Sequence, residues 1–201
     1  MFDTSIRKRI DPALDAIGRW LASHEISANM VTWAGFVIGV LAAAAISVSL
    51  FWLGLTLLLL SRLCDGLDGA VARAGVKSDL GGYLDIVLDF AFYGLIPLAF
   101  IVADPSANAI AGGVLLLTFY VNGASFLTYA LMAEKRGLSE SARGSKSLLY
   151  TTGLTEATET IAAFVLMCLL PAWFGMIAYV FAAMVVFTTA NRFRLAYRSL
   201  R

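Results

Sequence analysis

Residues 52–74, WLGLTLLLLSRLCDGLDGAVARA, and residues 83–103, YLDIVLDFAFYGLIPLAFIVA, decide the fold of this 201-residue chain. Each stretch is apolar and long enough to cross a bilayer as a helix, since a span needs about 20 residues. Together they nevertheless carry four acidic side chains: Asp65, Asp68, Asp85 and Asp89. Because an ionisable group inside a bilayer costs roughly 2.5–3.5 kcal/mol on insertion scales, we expect these aspartates to have a function.

The spacing of the aspartates places them on two helix faces. Asp65 and Asp68 are three residues apart and Asp85 and Asp89 are four apart, so each pair shares one face of its helix. The link between the helices is short, which predicts antiparallel neighbours whose acidic faces meet at similar depth. Facing carboxylates repel one another, or hold protons, unless cations neutralise them. Oxygen ligands favour hard ions such as Mg²⁺, Mn²⁺ or Ca²⁺, and no His or Cys cluster points to zinc.

The composition of the whole chain agrees with a membrane protein. Hydrophobic residues make up 60% of the sequence and charged residues 14%, whereas a soluble domain carries about a quarter charged residues. Six stretches have the length and apolar character of membrane spans: 30–50, 52–74, 83–103, 108–132, 150–170 and 173–195. The sequence therefore predicts one all-α, polytopic membrane domain over residues 1–201, with a bundle of six transmembrane helices over 30–195.

The basic residues indicate how the spans are oriented. Apart from Arg62 inside the second span, the 15 Lys and Arg residues lie before the first span, at or beyond the end of the second, after the fourth, and at or beyond the end of the sixth. In a six-span chain all of these places face the same side of the membrane. Because Lys-rich and Arg-rich loops stay in the cytoplasm, we expect both termini to be cytoplasmic.

Residues 1–25 differ from the spans. Charged residues there alternate with apolar residues that recur at spacings of three and four: Ile6, Ile10, Leu14, Ile17 and Leu21. This pattern predicts an amphipathic helix on the cytoplasmic membrane surface. A charged anchor that only flanks the first span is the alternative interpretation.

Small residues and an arginine surround the acidic positions. Gly66 and Gly69 flank Asp68, and glycine lets a ligand or another backbone come close. Arg73 offers a two-pronged donor that suits phosphate. Divalent metals, small residues and an arginine together suit a nucleoside diphosphate ester.

Two other interpretations stay open on these residues alone. In the first, Arg62 and Arg73 neutralise part of the acidic charge, and the network only fixes helix packing. In the second, the chain is an ion- or proton-coupled transporter whose intramembrane carboxylates relay charge.

The segment from Asp65 to Asp89 resembles the signature of the CDP-alcohol phosphotransferases. That pattern fixes eight positions, and all of them are present: Asp65, Asp68, Gly69, Ala72, Arg73, Gly81, Asp85 and Asp89. The resemblance covers essentially the whole chain and implies a bacterial inner-membrane member of the family. It implies a homodimeric enzyme that transfers a phosphatidyl group from CDP-diacylglycerol to the hydroxyl of a small polar alcohol, releases CMP, and has no nucleic-acid partner.

The resemblance also implies roles for individual residues. It assigns the ligands of two Mg²⁺ or Mn²⁺ ions to Asp65, Asp68, Asp85 and Asp89. Asp89 is in addition the expected general base for the acceptor hydroxyl. The expected contacts to the CDP-linked lipid are Asn29, Thr32, Asp68, Gly69, Ala72, Arg73 and Lys77. An ordinary helix cap by Ser27 or Asn29 is the alternative at the start of the first span.

The predicted acceptor site lies around the fifth and sixth spans. Its expected residues are Lys135, Arg143, Lys146, Glu156, Glu159 and Arg192. In relatives with phosphorylated acceptors, such as glycerol 3-phosphate or inositol phosphate, basic residues of these regions hold the phosphate. Membrane topology alone also requires cations there. The glutamates could bind the amine of an acceptor such as serine or ethanolamine, or they could pair with Lys146 and Arg192.

Overall fold

The computed structural model describes residues 2–75, 78–137 and 157–200, and every regular element within these ranges is helical. Seven α-helices follow one another there: α1 (Phe2–Ser23), α2 (Ala28–Ser47), α3 (Phe51–Ala74), α4 (Asp79–Ala103), α5 (Pro105–Lys135), α6 (Ala157–Leu169) and α7 (Phe174–Ser199). A 3₁₀ turn, Pro171–Trp173, lies between α6 and α7. The all-α prediction is therefore confirmed for the described ranges.

Polar side chains cap the helices that carry the site. The Ser78 hydroxyl accepts a 3.0 Å hydrogen bond from the Gly81 N–H at the start of α4. Asp104, between α4 and α5, accepts bonds from the Ser106 hydroxyl at 2.7 Å and from the Ala107 N–H at 3.1 Å. These two bonds hold the pKa of Asp104 below its ordinary value. Such caps satisfy backbone N–H groups that the first helical turn leaves without partners, so α4 and α5 begin at defined residues.

Four segments within the described ranges are long and apolar enough to cross a membrane: α2, α4, α5 and Pro171–Ser199. Helix α3 has the length, at 24 residues, but its charged side chains exceed what an ordinary span carries. The described part of α6 has 13 residues, and the predicted fifth span begins at residue 150, outside the described residues. The count of six spans therefore stays a prediction.

Helix α3 packs against α1 on one side and against α2 on another. A Cβ placed on Gly18 of α1 would come within 2.8 Å of the Ala70 backbone in α3, so the glycine permits this close approach. The structure thus contains an N-terminal helix, α1, that is docked on α3, and the amphipathic character of this helix stays a prediction. Its position on the membrane surface stays a prediction.

The centre of the bundle is aromatic. Phe92, Phe100, Phe164 and Phe174 are fully buried. The rings of Phe100 and Phe174 stack with their centroids 4.8 Å apart, and Phe92 meets Phe164 edge to face at 6.3 Å. These contacts join α4 to α6 and α7 and hold the acidic face of α4 in a fixed rotation.

Candidate active site

Three carboxylates converge where α3 faces α4. Asp65, Asp68 and Asp85 each offer an oxygen, and these three oxygens lie within 4.8 Å of one another. Helical spacing places the first two on one face of α3, and the antiparallel arrangement brings the third from α4 to the same depth. The structure therefore brings together three of the four predicted metal ligands as one cluster.

One carboxylate oxygen of the cluster is buried without a partner. Asp68 is only 6% exposed, and its Oδ2 atom has no hydrogen-bond partner within the described part of the protein. An unpaired carboxylate oxygen away from water is strongly unfavourable. A hard divalent cation would satisfy it, and the all-oxygen donor set fits Mg²⁺ or Mn²⁺.

Asp89 lies beside the cluster but is bound to an arginine. Arg62 Nη1 donates a 2.6 Å hydrogen bond to Asp89 Oδ1 and lies 3.4 Å from Asp65 Oδ1. The guanidinium thus neutralises part of the acidic charge, as one interpretation of the sequence anticipated. Arg73 does not take part in this, so the arginines leave part of the acidic cluster without a counter-ion among the described residues.

A cavity of about 200 Å³ opens beside Asp68 and is lined by residues of α2, α3 and α4. Five of the residues expected at the CDP-linked lipid line it: Asn29, Thr32, Asp68, Gly69 and Ala72. Ser27 caps α2 by accepting a 3.3 Å bond from the Met30 N–H. The first turn of α4 also lines the cavity, with Ser78, Gly81 and Gly82. A Cβ on Gly81 would approach Asn29 Oδ1 to 2.9 Å, so glycine lets the Asn29 amide lie close to this turn.

Arg73 lies next to this cavity without lining it. A Cβ on Gly69 would come within 3.5 Å of Arg73 Nη1. Arg73 Nη2 instead pairs with Asp15 Oδ1 of α1 at 2.7 Å. The sequence analysis did not predict Asp15 as the partner of Arg73.

A second, larger cavity of about 720 Å³ lies between α4, α5, α6 and α7. Its walls are mostly apolar, with a few polar groups: Asp85, Asp89, Tyr93, Tyr120, Asn122, Thr160 and Arg192. Asp85 borders this cavity as well as the smaller one. The acidic cluster therefore lies where the two cavities meet.

Arg192 is held at the wall of the larger cavity by α5. Its Nη1 atom donates to the Asn122 carbonyl at 3.0 Å, to Asn122 Oδ1 at 2.9 Å and to Ser125 Oγ at 3.2 Å. The guanidinium carbon also lies 5.3 Å from the Phe126 ring centroid. Within the part of the chain that the structure describes, the hydrogen-bond partners of the Arg192 guanidinium are the Asn122 and Ser125 groups and not a carboxylate.

The other expected acceptor residues are placed differently. Lys135 is exposed at the end of α5, and Glu159 is half-buried in the first turn of α6. Neither lines the cavities described above. Four expected site residues lie outside the described residues: Lys77, Arg143, Lys146 and Glu156.

Some residues of the site were not assigned a role from the sequence, Asn122 and Tyr93 among them. Asn122 holds Arg192, and Tyr93 borders the larger cavity. The signal that could have identified Asn122 is an amide inside the apolar stretch 108–132, where a polar side chain needs a partner.

The chain resembles known proteins along its whole length. Residues 25–190 match the family model described as CDP-alcohol phosphatidyltransferase. Inner membrane protein YnjF of Escherichia coli (strain K12) is 45% identical over 201 residues, which cover 100% of this chain and 98% of that protein.

Two archaeal proteins match shorter parts of the chain. Archaetidylinositol phosphate synthase of Pyrococcus horikoshii is 38% identical over 87 residues, 43% of this chain and 46% of that protein. Bifunctional IPC transferase and DIPP synthase of Archaeoglobus fulgidus is 31% identical over 155 residues, 74% of this chain and 29% of that protein. With its apolar helices and its acidic cluster, the chain belongs to the CDP-alcohol phosphatidyltransferase family and is a membrane-bound transferase of phospholipid synthesis.

Proposed function

We propose that the chain transfers a phosphatidyl group from CDP-diacylglycerol to the hydroxyl of a small polar acceptor and releases CMP. One observation carries the proposal: Asp85 borders both cavities and belongs to the carboxylate cluster between them. A transferase needs its donor and acceptor to meet at the reacting phosphorus. In this proposal the CDP-linked lipid binds in the smaller cavity, the acceptor binds in the larger one, and the acidic cluster lies between them.

The smaller cavity suits the CDP diphosphate. The Asn29 amide and the Thr32 hydroxyl are at its wall, and the first turn of the 25-residue helix α4 faces it. A helix N-terminus carries partial positive charge and attracts phosphate oxygens. Gly69 and Ala72 keep this side of α3 narrow, which leaves space for the nucleotide.

The carboxylates are the proposed ligands of two Mg²⁺ or Mn²⁺ ions. Asp65, Asp68 and Asp85 form the core of this site, and Asp89 lines the same narrow cleft as these three residues. When bound, the cations would neutralise the diphosphate and the charge that develops on the leaving CMP.

Asp89 is the proposed general base because it borders the acceptor cavity. It accepts the proton of the acceptor hydroxyl, and that oxygen forms a bond to the phosphorus on the lipid side of the diphosphate. The bond from this phosphorus to the bridging oxygen breaks, and its electron pair leaves with CMP. The lipid tails stay in the bilayer throughout.

Arg192 favours an acceptor that carries a phosphate. Its guanidinium lies at the wall of the cavity that Asp89 also borders, and within the described residues no carboxylate neutralises it. Two relatives are named archaetidylinositol phosphate synthase and bifunctional IPC transferase and DIPP synthase. We therefore favour a phosphorylated polyol, such as inositol phosphate or glycerol 3-phosphate, over serine or ethanolamine.

The proposed setting is a bacterial inner membrane, with both termini in the cytoplasm and the chain as a homodimer. A relative that matches the full length is named an inner membrane protein. Cysteine labelling from either side of the membrane tests the topology. Ser106→Cys and Arg136→Cys, near opposite ends of α5, should be labelled from opposite sides.

The deciding experiment uses the purified protein in lipid nanodiscs with CDP-diacylglycerol, Mg²⁺ or Mn²⁺, and separate acceptors. The panel is glycerol 3-phosphate, inositol phosphate, inositol, serine and ethanolamine, with CMP release and the lipid product measured together. We expect CMP only with the right acceptor. Substrate flux in liposomes without CMP release would instead support a transporter.

A further inference from the structure

We propose that Arg62 is a positioning residue that fixes the Asp89 carboxylate for proton transfer. The inference rests on the proposed function, in which Asp89 accepts the acceptor proton. Arg62 is not one of the eight fixed positions of the family signature, and it contacts neither of the two larger cavities. Its role is therefore argued from the contacts it makes.

Side chains of α3 and α4 hold the guanidinium of Arg62, and a residue of α2 supports one of them. Its Cζ atom lies 3.7 Å from the centroid of the fully buried Phe92 ring in α4. Its Nη2 atom donates to Ser61 Oγ at 3.3 Å, and Ser61 in turn donates to the Gly35 carbonyl of α2 at 2.8 Å. With a side chain only 9% exposed, Arg62 has little freedom to reorient.

This fixed group takes hold of Asp89 at one defined atom. The 2.6 Å bond from Nη1 to Asp89 Oδ1 is shorter than an ordinary N–H···O bond, as expected when both partners are charged. Without this bond, the Asp89 side chain at the cavity wall would populate several rotamers. The bond favours one orientation of its carboxylate. A base must lie within hydrogen-bond reach of its proton, so a fixed orientation increases the rate of transfer.

The shape of the guanidinium matters as well as its charge. A planar group can lie flat over Phe92 while its edge donates towards Asp89, and a lysine ammonium cannot do both. Arg62 also lies 3.4 Å from Asp65, a member of the carboxylate cluster. Its positive charge therefore opposes the binding of a cation there.

The test compares Arg62→Met and Arg62→Lys with the wild type, with the exposed Arg198→Met as matched control. We expect Arg62→Met to lower kcat about 100-fold, the range of a general base that is out of position, with little change in the KM for CDP-diacylglycerol. Arg62→Lys should recover part of the lost kcat. Phe92→Leu, which removes the ring beneath the guanidinium, should also lower kcat and leave that KM unchanged.

A second readout does not depend on turnover. Mn²⁺ binding, followed by electron paramagnetic resonance, should be about tenfold tighter in Arg62→Met, since a nearby positive charge is removed. A misfolded variant would instead bind Mn²⁺ more weakly than the wild type. If Arg62→Met does not fold, the kcat values of Arg62→Lys and Phe92→Leu provide the test.

A wild-type kcat in folded Arg62→Met would overturn the positioning role of Arg62, and an unchanged Mn²⁺ affinity would overturn its effect on the acidic cluster. Absence of CMP release by the wild type would instead count against the proposed function, and the Mn²⁺ titration would still decide whether Arg62 acts on the acidic cluster.

Discussion

Arg73 of α3 binds Asp15 of α1 through two donors. Nη2 lies 2.7 Å and Nε 3.2 Å from the same carboxylate oxygen, Oδ1. The pair joins the N-terminal helix to the arginine that the family resemblance assigns to the CDP site. The side chains are 48% and 38% exposed, so the pair contributes less than about 1 kcal/mol. It can therefore open when a stronger anion arrives.

Asp15→Asn should strengthen binding of the CDP-linked lipid. Without the ion pair, Arg73 no longer has to leave a carboxylate before it contacts the diphosphate. A pair worth less than about 1 kcal/mol corresponds to a decrease in KM of roughly twofold to fivefold. Initial rates of CMP release at varied CDP-diacylglycerol concentration measure it.

The matched control for this variant is Asp11→Asn, one helical turn earlier in α1, which should leave the KM unchanged. A higher KM in Asp15→Asn would show that Asp15 orients Arg73 for binding and does not compete with the substrate.

Asp89→Asn should lower kcat by at least about 100-fold while the protein stays folded. The amide keeps the size of the carboxylate but cannot accept a proton. Gel filtration checks that the variant stays folded, and CMP release measures its kcat. Asp79→Asn, an exposed aspartate in the first turn of the same helix, should behave as the wild type. Near-normal turnover of Asp89→Asn would remove Asp89 as the base.

The cluster could be predicted from the sequence because helix geometry alone brings its members together. Spacings of three and four put Asp65 and Asp68 on one face, and a short link brings Asp85 opposite them. The same periodicity places Arg62 three residues before Asp65. Its stronger bond, to Asp89, depends on how α3 and α4 rotate against each other, which the spacing does not specify.

Contacts between helices that are distant in sequence could not be predicted, because residue spacing does not specify how helices pack. Arg73 was expected at the diphosphate, but the docking of α1 places Asp15 beside it. Arg192 was chosen for its charge, whereas its amide partner Asn122 lies 70 residues away on α5. Such pairs are set by helix packing, and no local pattern encodes them.

Removal of divalent cations should abolish transfer and lower the thermal stability. Three converging carboxylates repel when no cation is bound, and a cation at 100 times its Kd stabilises the folded state by about 2.7 kcal/mol. Chelation should reduce the Tm, and Mg²⁺ or Mn²⁺ should restore both Tm and activity.

Asp68→Asn should weaken Mn²⁺ binding by at least about tenfold, because a neutral amide replaces a buried anionic ligand. The control is Asp104→Asn, which lies at the end of α4 away from the cluster. Its amide oxygen can still cap α5, and the variant should bind Mn²⁺ normally. Full activity after complete chelation would contradict the metal assignment.

Gly39→Ala should destabilise the protein by about 1–3 kcal/mol, the usual cost of overpacking a core. Its Cβ would come within 2.7 Å of Phe92 Cδ2 and 3.0 Å of Ser61 Oγ, and both groups support Arg62. Thermal unfolding in detergent measures the change. Gly94→Ala on α4, where a Cβ meets nothing within 4 Å, is the control and should not lower the Tm. Equal Tm values for the two variants would mean that α2 can shift away from Phe92.

Arg192→Met should raise the KM for a phosphorylated acceptor by about tenfold or more and leave the KM for CDP-diacylglycerol unchanged. A guanidinium that Asn122 orients at the cavity wall can form charge-assisted bonds to a phosphate, and methionine cannot. The exposed Arg194→Met, two residues later on α7, is the matched control and should leave both KM values unchanged. Arg192→Lys should retain part of the acceptor affinity, since it keeps the charge but loses the fork. If Arg192→Met changed only the KM for CDP-diacylglycerol, Arg192 would belong to the donor side. If neither KM changed, an uncharged acceptor would replace the phosphorylated polyol.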